Sequence, residues 1–223
     1  MDRPRALVFD WDNTLVDTWS TIHEALVATF AVMGLEPWTL AETKLRVRHS
    51  LSNAFPALFG SRWEEARQVY LDHFTAIHLE RLAPIVGAAE LLHEARDIGF
   101  HLAVLSNKTG GMLRREAEHL GWRGHFARLV GAGDASADKP DPAAMALALE
   151  GSGFNGADVW YIGDTALDME CAARAGCVGV LVGPVDQLDE GFRRYPPARK
   201  CIGLSALLRQ LPSGSGRSSS ETR

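Results

Sequence analysis

The chain has 223 residues, 46% of them hydrophobic, enough to bury a core of about 150 residues and leave material for a small second module. Its formal net charge is −5 and its basic residues are dispersed, which argues against a nucleic-acid duplex or an anionic membrane as partner. Three cysteines without CxxC spacing, and no His pair at zinc spacing, argue against a disulfide framework and a structural zinc site.

In chain order, ALVF (6–9) is a continuous apolar run suited to a strand buried on both faces of a parallel sheet, and it ends in Asp10 and Asp12. Residues 18–83 carry helical spacing, with Ile22, Leu26, Phe30 and Met33 on one face, and read as a helical insertion. Pro84 and Gly87 punctuate its exit. FHLAVLSN (100–107), FARLVG (126–131), VWYIGD (159–164) and CVGVLVG (177–183) are further strand-like runs, the last of them closing the series. The first three precede helices near 110–120, 142–151 and 167–175. Strands alternating with helices of this length predict βαβ units, a parallel sheet and an α/β fold.

The expected division is therefore a core of residues 1–17 and 84–212 with an insert at 18–83. SGSGRSSSETR, from Ser213, has the composition of a disordered tail. The N-terminal residues enter a core strand almost at once, which leaves no room for a signal peptide, and no apolar run reaches the roughly 18 residues of a membrane span. A soluble cytoplasmic protein, monomer or homodimer, is expected.

Four polar clusters follow strand-like runs: Asp10 with Asp12, Ser106 with Asn107, Lys139, and Asp164 with Asp168. Parallel strands present their C-terminal ends along one edge of the sheet, so these clusters are predicted to converge on one site. Clustered carboxylates repel one another unless a cation or proton intervenes. An oxygen-only donor set in a shallow crevice favours Mg²⁺, whose shell a substrate phosphate completes. Asp10 and Asp164 would share that ion, while Lys139 offers a compact positive charge and Ser106 a hydroxyl donor to phosphate oxygens. Lysine is scarce here, four against nineteen arginines, and DKPDP fixes Lys139 before a helix with Asp141 as N-cap and Pro142 at its first position. Asn107 either orients groups at the site or shapes the loop.

DxDxT after the first strand, the LSN run, the KP lysine and GDTALD, in this order, closely resemble the phosphatase branch of the haloacid dehalogenase superfamily, with phosphoglycolate-phosphatase-like members the nearest in pattern. The likeness spans residues 5 to about 209. It implies a Rossmann-like doubly wound parallel sheet and makes the insertion an all-α cap domain of the first type. It implies Asp10 as the nucleophile that forms an aspartyl-phosphate, and Asp12 as general acid and then base. It also implies Mg²⁺ held by the Asp10 and Asp164 side chains and the Asp12 carbonyl, with Asp168 in support. Arg48 and His49, in the LRVRHS stretch with Arg46, fall near the family's specificity loop and would meet the far end of a small phosphorylated metabolite. Two positions depart from the commonest pattern: Trp11 stands where an aliphatic residue or phenylalanine is frequent, and Asn13 replaces glycine. Asn13 tolerates left-handed backbone, so the turn can survive, and the changes bear on substrate fit more than on chemistry.

A calcium loop counted from Asp10 would need glycine and glutamate where Leu15 and Thr21 stand. A dehalogenase lacks an acid at the position of Asp12, and a phosphonate-cleaving relative would need Lys44, the one lysine of the insertion, for a Schiff base. The core motifs do not separate a phosphatase from a phosphomutase. A non-catalytic phosphate-binding regulatory module would have no use for the full set of acid, nucleophile, lysine and metal ligands.

Overall fold

A computed structural model describes residues 3–47, 51–183 and 190–211. The chain forms two compact units, one from the residues up to Leu15 and from Pro84 onward, the other Val16–Ala83. The predicted Ser213 tail, and Arg48 and His49, lie outside the described residues.

The first unit begins with β1 (Ala6–Phe9), four residues with no exposed surface, as a strand covered on both faces requires. The second unit opens with β2 (Val16–Asp17) and continues through α1 (Trp19–Met33), α2 (Leu40–Arg46), α3 (Leu51–Phe59) and α4 (Trp63–Ile77). Then β3 (Ala83–Pro84) pairs with β2. Phe30, Phe55, Phe59, Tyr70 and Phe74 form a run of aromatic contacts with ring centroids 5.2–5.8 Å apart, the interior of this helical unit. A capping box starts α2, Thr39 and Glu42 satisfying each other's backbone N–H groups.

The chain then resumes the α/β rhythm with α5 (Ala88–Ile98), β4 (His101–Thr109), α6 (Gly110–His119), β5 (Arg128–Ala132) and α7 (Pro142–Ala148). It continues with β6 (Val159–Gly163), α8 (Ala166–Arg174), β7 (Val178–Val182), α9 (Glu190–Arg194), β8 (Arg199–Cys201) and α10 (Leu204–Leu208). The main sheet has the order β5-β4-β1-β6-β7-β8 with every pairing parallel. The α/β, Rossmann-like parallel architecture is as expected. The strand-like runs of the sequence end at β7, and β8 adds a further edge strand. β8 was overlooked because Arg199-Lys200-Cys201 is short and mostly charged, as edge strands commonly are.

The register places the site. Phe9 lies beside Val104 on one side and Ile162 on the other, so β1 and β6 end together next to the middle of the longer β4, and Asp10, Ser106 and Asp164 fall along one edge. The Asp10 N–H still donates to the Ile162 carbonyl at 2.8 Å, so the strand pairing reaches the first aspartate itself. Asn13 takes φ 59° and is the one non-glycine residue with positive φ among those described, so it fills the glycine's conformational role in the turn after the DxD pair. Asp141 caps α7 by accepting from the Ala143 N–H at 2.9 Å, with Pro142 in the first turn, as the DKPDP spacing predicts.

Candidate active site

Asp10, at the end of β1, is almost fully buried. Lys139 reaches it from the loop before α7, its Nζ 2.7 Å from Asp10 Oδ1, 2.7 Å from Asp168 Oδ1 and 3.1 Å from the Tyr161 hydroxyl. The three N–H bonds of the ammonium are thereby matched by three partners inside the protein. Tyr161, on β6, lies within hydrogen-bond distance of the Leu105 carbonyl at 2.9 Å and of Asp168 Oδ1 at 3.0 Å. Asp168 is also the third residue of the capping box that starts α8. Its Oδ2 accepts from the Thr165 N–H at 3.0 Å and from the Thr165 hydroxyl at 2.6 Å. Gly163 makes room for this, because a Cβ there would occupy the space of the Asp168 carboxylate.

Asp164 follows β6 and accepts from the Thr14 hydroxyl at 3.2 Å. One oxygen each of Asp10, Asp164 and Asp168 lie within 4.8 Å of one another. Burial, helped by the charge of Asp168, pushes the Asp10 carboxyl up to about 7 against the pull of Lys139. Burial, then the charges of Asp168 and Asp10, raise Asp164 well above the usual carboxylate range. Burial acts the same way on Asp168, but Lys139 and Thr165 outweigh it and hold that carboxyl below its usual range. The set therefore contains two carboxyls destabilised as anions and one satisfied by protein donors. A hard divalent cation bound through oxygen would relieve the first two, and the donor chemistry fits Mg²⁺.

A second buried lysine serves the other aspartate. Residues 105–109 of β4 break register with β5, and within this stretch Ser106 and Lys108 are buried while Asn107 and Thr109 are exposed. The side chain of Lys108 is only 4% exposed, and its Nζ lies 2.8 Å from Asp12 Oδ1. The same nitrogen donates to both oxygens of Glu116, on α6, at 2.6 and 2.7 Å. Glu116 is 0% exposed and also accepts from the Trp11 Nε1–H at 2.6 Å. Burial lowers the basicity of Lys108, but Asp12 and Glu116 outweigh it, so the lysine stays firmly charged. Trp11 packs edge-on against Trp122 and Phe126, with centroids 5.9 and 6.4 Å away.

A family model described as "Haloacid dehalogenase-like hydrolase" matches residues 7–182, from β1 to the end of β7. The chain belongs to that family. Among curated relatives, a phosphoglycolate phosphatase of Rhodospirillum rubrum is 29% identical over 207 residues, covering 87% of this chain and 83% of that one. Another from Caulobacter vibrioides is 30% identical over 184 residues, covering 79% and 78%. Among solved structures, a haloacid dehalogenase-like hydrolase from Streptococcus pneumoniae superposes with a TM-score of 0.82 at 21% identity, covering 93% of this chain and 98% of that one. Within the family, this chain's kinship is with phosphatases.

The fold of this hydrolase family thus brings Asp10, Lys139, Asp164 and Asp168 into one cluster, with Asp12 and Ser106 on the same sheet edge. Ser106 accepts from the Lys108 N–H at 3.2 Å, and the Asn107 side chain donates to the Lys139 carbonyl at 3.1 Å, so Asn107 braces the lysine's loop. Trp11 differs from its expected bearing on substrate fit: it has no exposed surface, and its ring and N–H are engaged by core and support groups. Arg46 pairs with Glu42 at 3.5 Å and lies over the Trp38 ring, both within the helical unit. Sequence reasoning missed Lys108, Glu116 and Tyr161. The scarcity of lysine was a usable signal for Lys108, which directly follows the LSN run. Glu116 and Tyr161 carry no such mark, since one sits mid-helix and the other mid-strand.

Proposed function

We propose that this chain is a Mg²⁺-dependent phosphatase that hydrolyses a small phosphomonoester metabolite through an aspartyl-phosphate on Asp10. The observation that carries the reading is the joining of Asp10 and Asp168 by one buried ammonium, with Asp164 alongside. A nucleophilic carboxylate must be held at a fixed angle, and Lys139 fixes it. Phosphoryl transfer breaks the bond from phosphorus to the ester oxygen, and Asp12 gives that oxygen its proton. In the second half, Asp12 takes a proton from the water that attacks the aspartyl-phosphate.

Mg²⁺ would be held by the Asp10 and Asp164 side chains and the Asp12 carbonyl, and would supply the positive charge that lets a phosphate dianion approach a carboxylate. Asp168 spends its oxygens on Lys139, Tyr161 and Thr165, which supports a bracing role for it. Ser106 and Lys139 are the donors assigned to the phosphate oxygens, and Lys139 would redirect one N–H to make that contact. The names of the curated relatives favour a phosphoglycolate-like substrate over a larger one. Substrate choice is assigned to the stretch that carries Arg48 and His49.

The test is phosphate release from a panel of metabolites that includes phosphoglycolate and hexose phosphates, with Mg²⁺ and with excess chelator. Release that needs the metal supports the reading. No release from any member with Mg²⁺ present would overturn it, and an isomerised sugar phosphate without free phosphate would make the chain a mutase.

A further inference from the structure

We propose that Lys108 and Glu116, with Trp11 behind them, form a positioning device that orients the Asp12 carboxyl for proton transfer to and from the oxygen at phosphorus. The inference rests on the phosphatase reading above. It extends that reading to residues for which the mechanism so far has no use.

The geometry runs outward in steps of falling burial. Glu116 is wholly enclosed and takes three hydrogen bonds, one from Trp11 and two from Lys108. Lys108 is thereby fixed from behind, and its side chain is 4% exposed against 29% for Asp12. Asp12 is held through one oxygen, Oδ1, 2.8 Å from Lys108, and its side chain keeps more exposed surface than either support residue. An isolated buried glutamate–lysine pair is a poor source of stability, because desolvating two charges roughly offsets their attraction. A pair kept beside one of the reacting carboxyls is better explained by what it orients. Charge balance agrees: Glu116 neutralises Lys108, so Asp12 gains an anchor without a large excess of positive charge beside it.

The backbone supports the same placement. Gly131 on β5 lets β4 come close where Lys108 sits, since a Cβ there would fall 2.6 Å from the Lys108 carbonyl oxygen. Trp11 occupies the residue between the two aspartates, so its N–H ties the DxD segment to α6 directly.

The experiment separates proton transfer from everything else by choice of leaving group. An alkyl phosphate expels an alkoxide that must be protonated, whereas acetyl phosphate expels a carboxylate that leaves unaided. The value of kcat/KM reports only steps up to formation of the aspartyl-phosphate, so the later role of Asp12 as base does not enter. The variant is the double change Lys108→Met with Glu116→Leu, which removes both buried charges together and so preserves the fold better than either change alone. Its kcat/KM for ethyl phosphate and for phosphoglycolate should fall by about 30-fold or more, within reach of the range for lost general-acid catalysis, and that for acetyl phosphate by less than about threefold.

Equal losses on all three substrates would overturn the proposal in favour of plain structural support. A loss on phosphoglycolate alone would also overturn it, because Lys108 would then be binding the substrate's carboxylate. Should the double variant not fold, Glu116→Gln, which keeps the shape and removes the charge, carries the same comparison, with the same outcomes deciding. Failure of the phosphatase reading itself is visible separately, as wild-type protein inactive on every phosphate tested, and would take this proposal with it.

Discussion

Two buried lysines stand behind the two aspartates of one DxD pair, and their surroundings differ in an instructive way. Lys139 joins Asp10 to Asp168, with the Tyr161 hydroxyl as third partner, and all of these groups are enclosed. Lys108 joins Asp12 to Glu116, with the Trp11 N–H on the far carboxylate, and this cluster opens at its Asp12 end. A nucleophile gains from being desolvated and immobile on its approach to phosphorus, whereas a proton donor must be anchored yet able to reach an oxygen of the substrate. The same three kinds of part, a lysine, a second carboxylate and an aromatic hydrogen-bonding group, serve both ends.

The strongest way to break the comparison is at Asp10, the proposed nucleophile. Asp10→Asn keeps shape and removes the anion proposed to attack phosphorus, so activity should fall by at least about 10³-fold while circular dichroism stays unchanged. A variant within tenfold of wild type would move the nucleophile elsewhere.

Removal of the metal should abolish turnover reversibly, and it should also leave a mark on stability. The Asp10 carboxyl is raised from 3.8 to about 7, so its contribution to stability is present below 3.8 and is lost as pH rises through about 7. Asp164, raised for the same reason, acts in the same direction. Asp168 is lowered, so its contribution is lost only as pH falls below the usual carboxylate range, outside this window. Metal-free protein should therefore melt at a lower temperature at pH 8 than at pH 5, and added Mg²⁺ should raise the melting temperature more at pH 8. A Mg²⁺ shift that did not grow with pH would contradict the assignment of the ion to Asp10 and Asp164.

At the first lysine, Lys139→Met would leave Asp10 and Asp168 buried without their counter-charge. Breaking a buried pair on one side costs about 3–5 kcal/mol, so the variant should unfold at markedly lower denaturant and retain at most a few hundredths of wild-type activity. Denaturation curves and phosphate release check both parts. Wild-type stability would show that the acidic cluster is solvated after all.

How much of this was legible beforehand follows from what kind of signal each residue leaves. Asp10, Asp164 and Lys139 each follow a strand-like run or precede a proline, so topology alone converges them. Tyr161 and Glu116 carry no mark in the sequence, because local pattern says nothing of partners more than fifty positions away, Leu105 for one and Trp11 for the other. The sixth strand was hidden by its charges, and the helical unit was legible as helices but not as chemistry, since its interior is held by aromatic contacts that carry no reactive group.

The finest test of the comparison is Trp11→Phe. The phenyl ring can keep most of the edge-on packing against Trp122 and Phe126, so the change subtracts little except the N–H that holds Glu116. A hydrogen bond to a charged group is worth about 1.5–3 kcal/mol, and Glu116 keeps its two bonds from Lys108, so the stability loss should fall at or below the lower end of that range. If the tryptophan serves the Asp12 end, kcat/KM for an alkyl phosphate should drop by about two- to fivefold, while that for acetyl phosphate should hold, a smaller copy of the effect expected from Lys108 and Glu116. If it serves packing alone, both substrates should decline together in step with stability. The first outcome would extend the second cluster's task to the residue between the two aspartates, and the second would confine that task to Lys108 and Glu116.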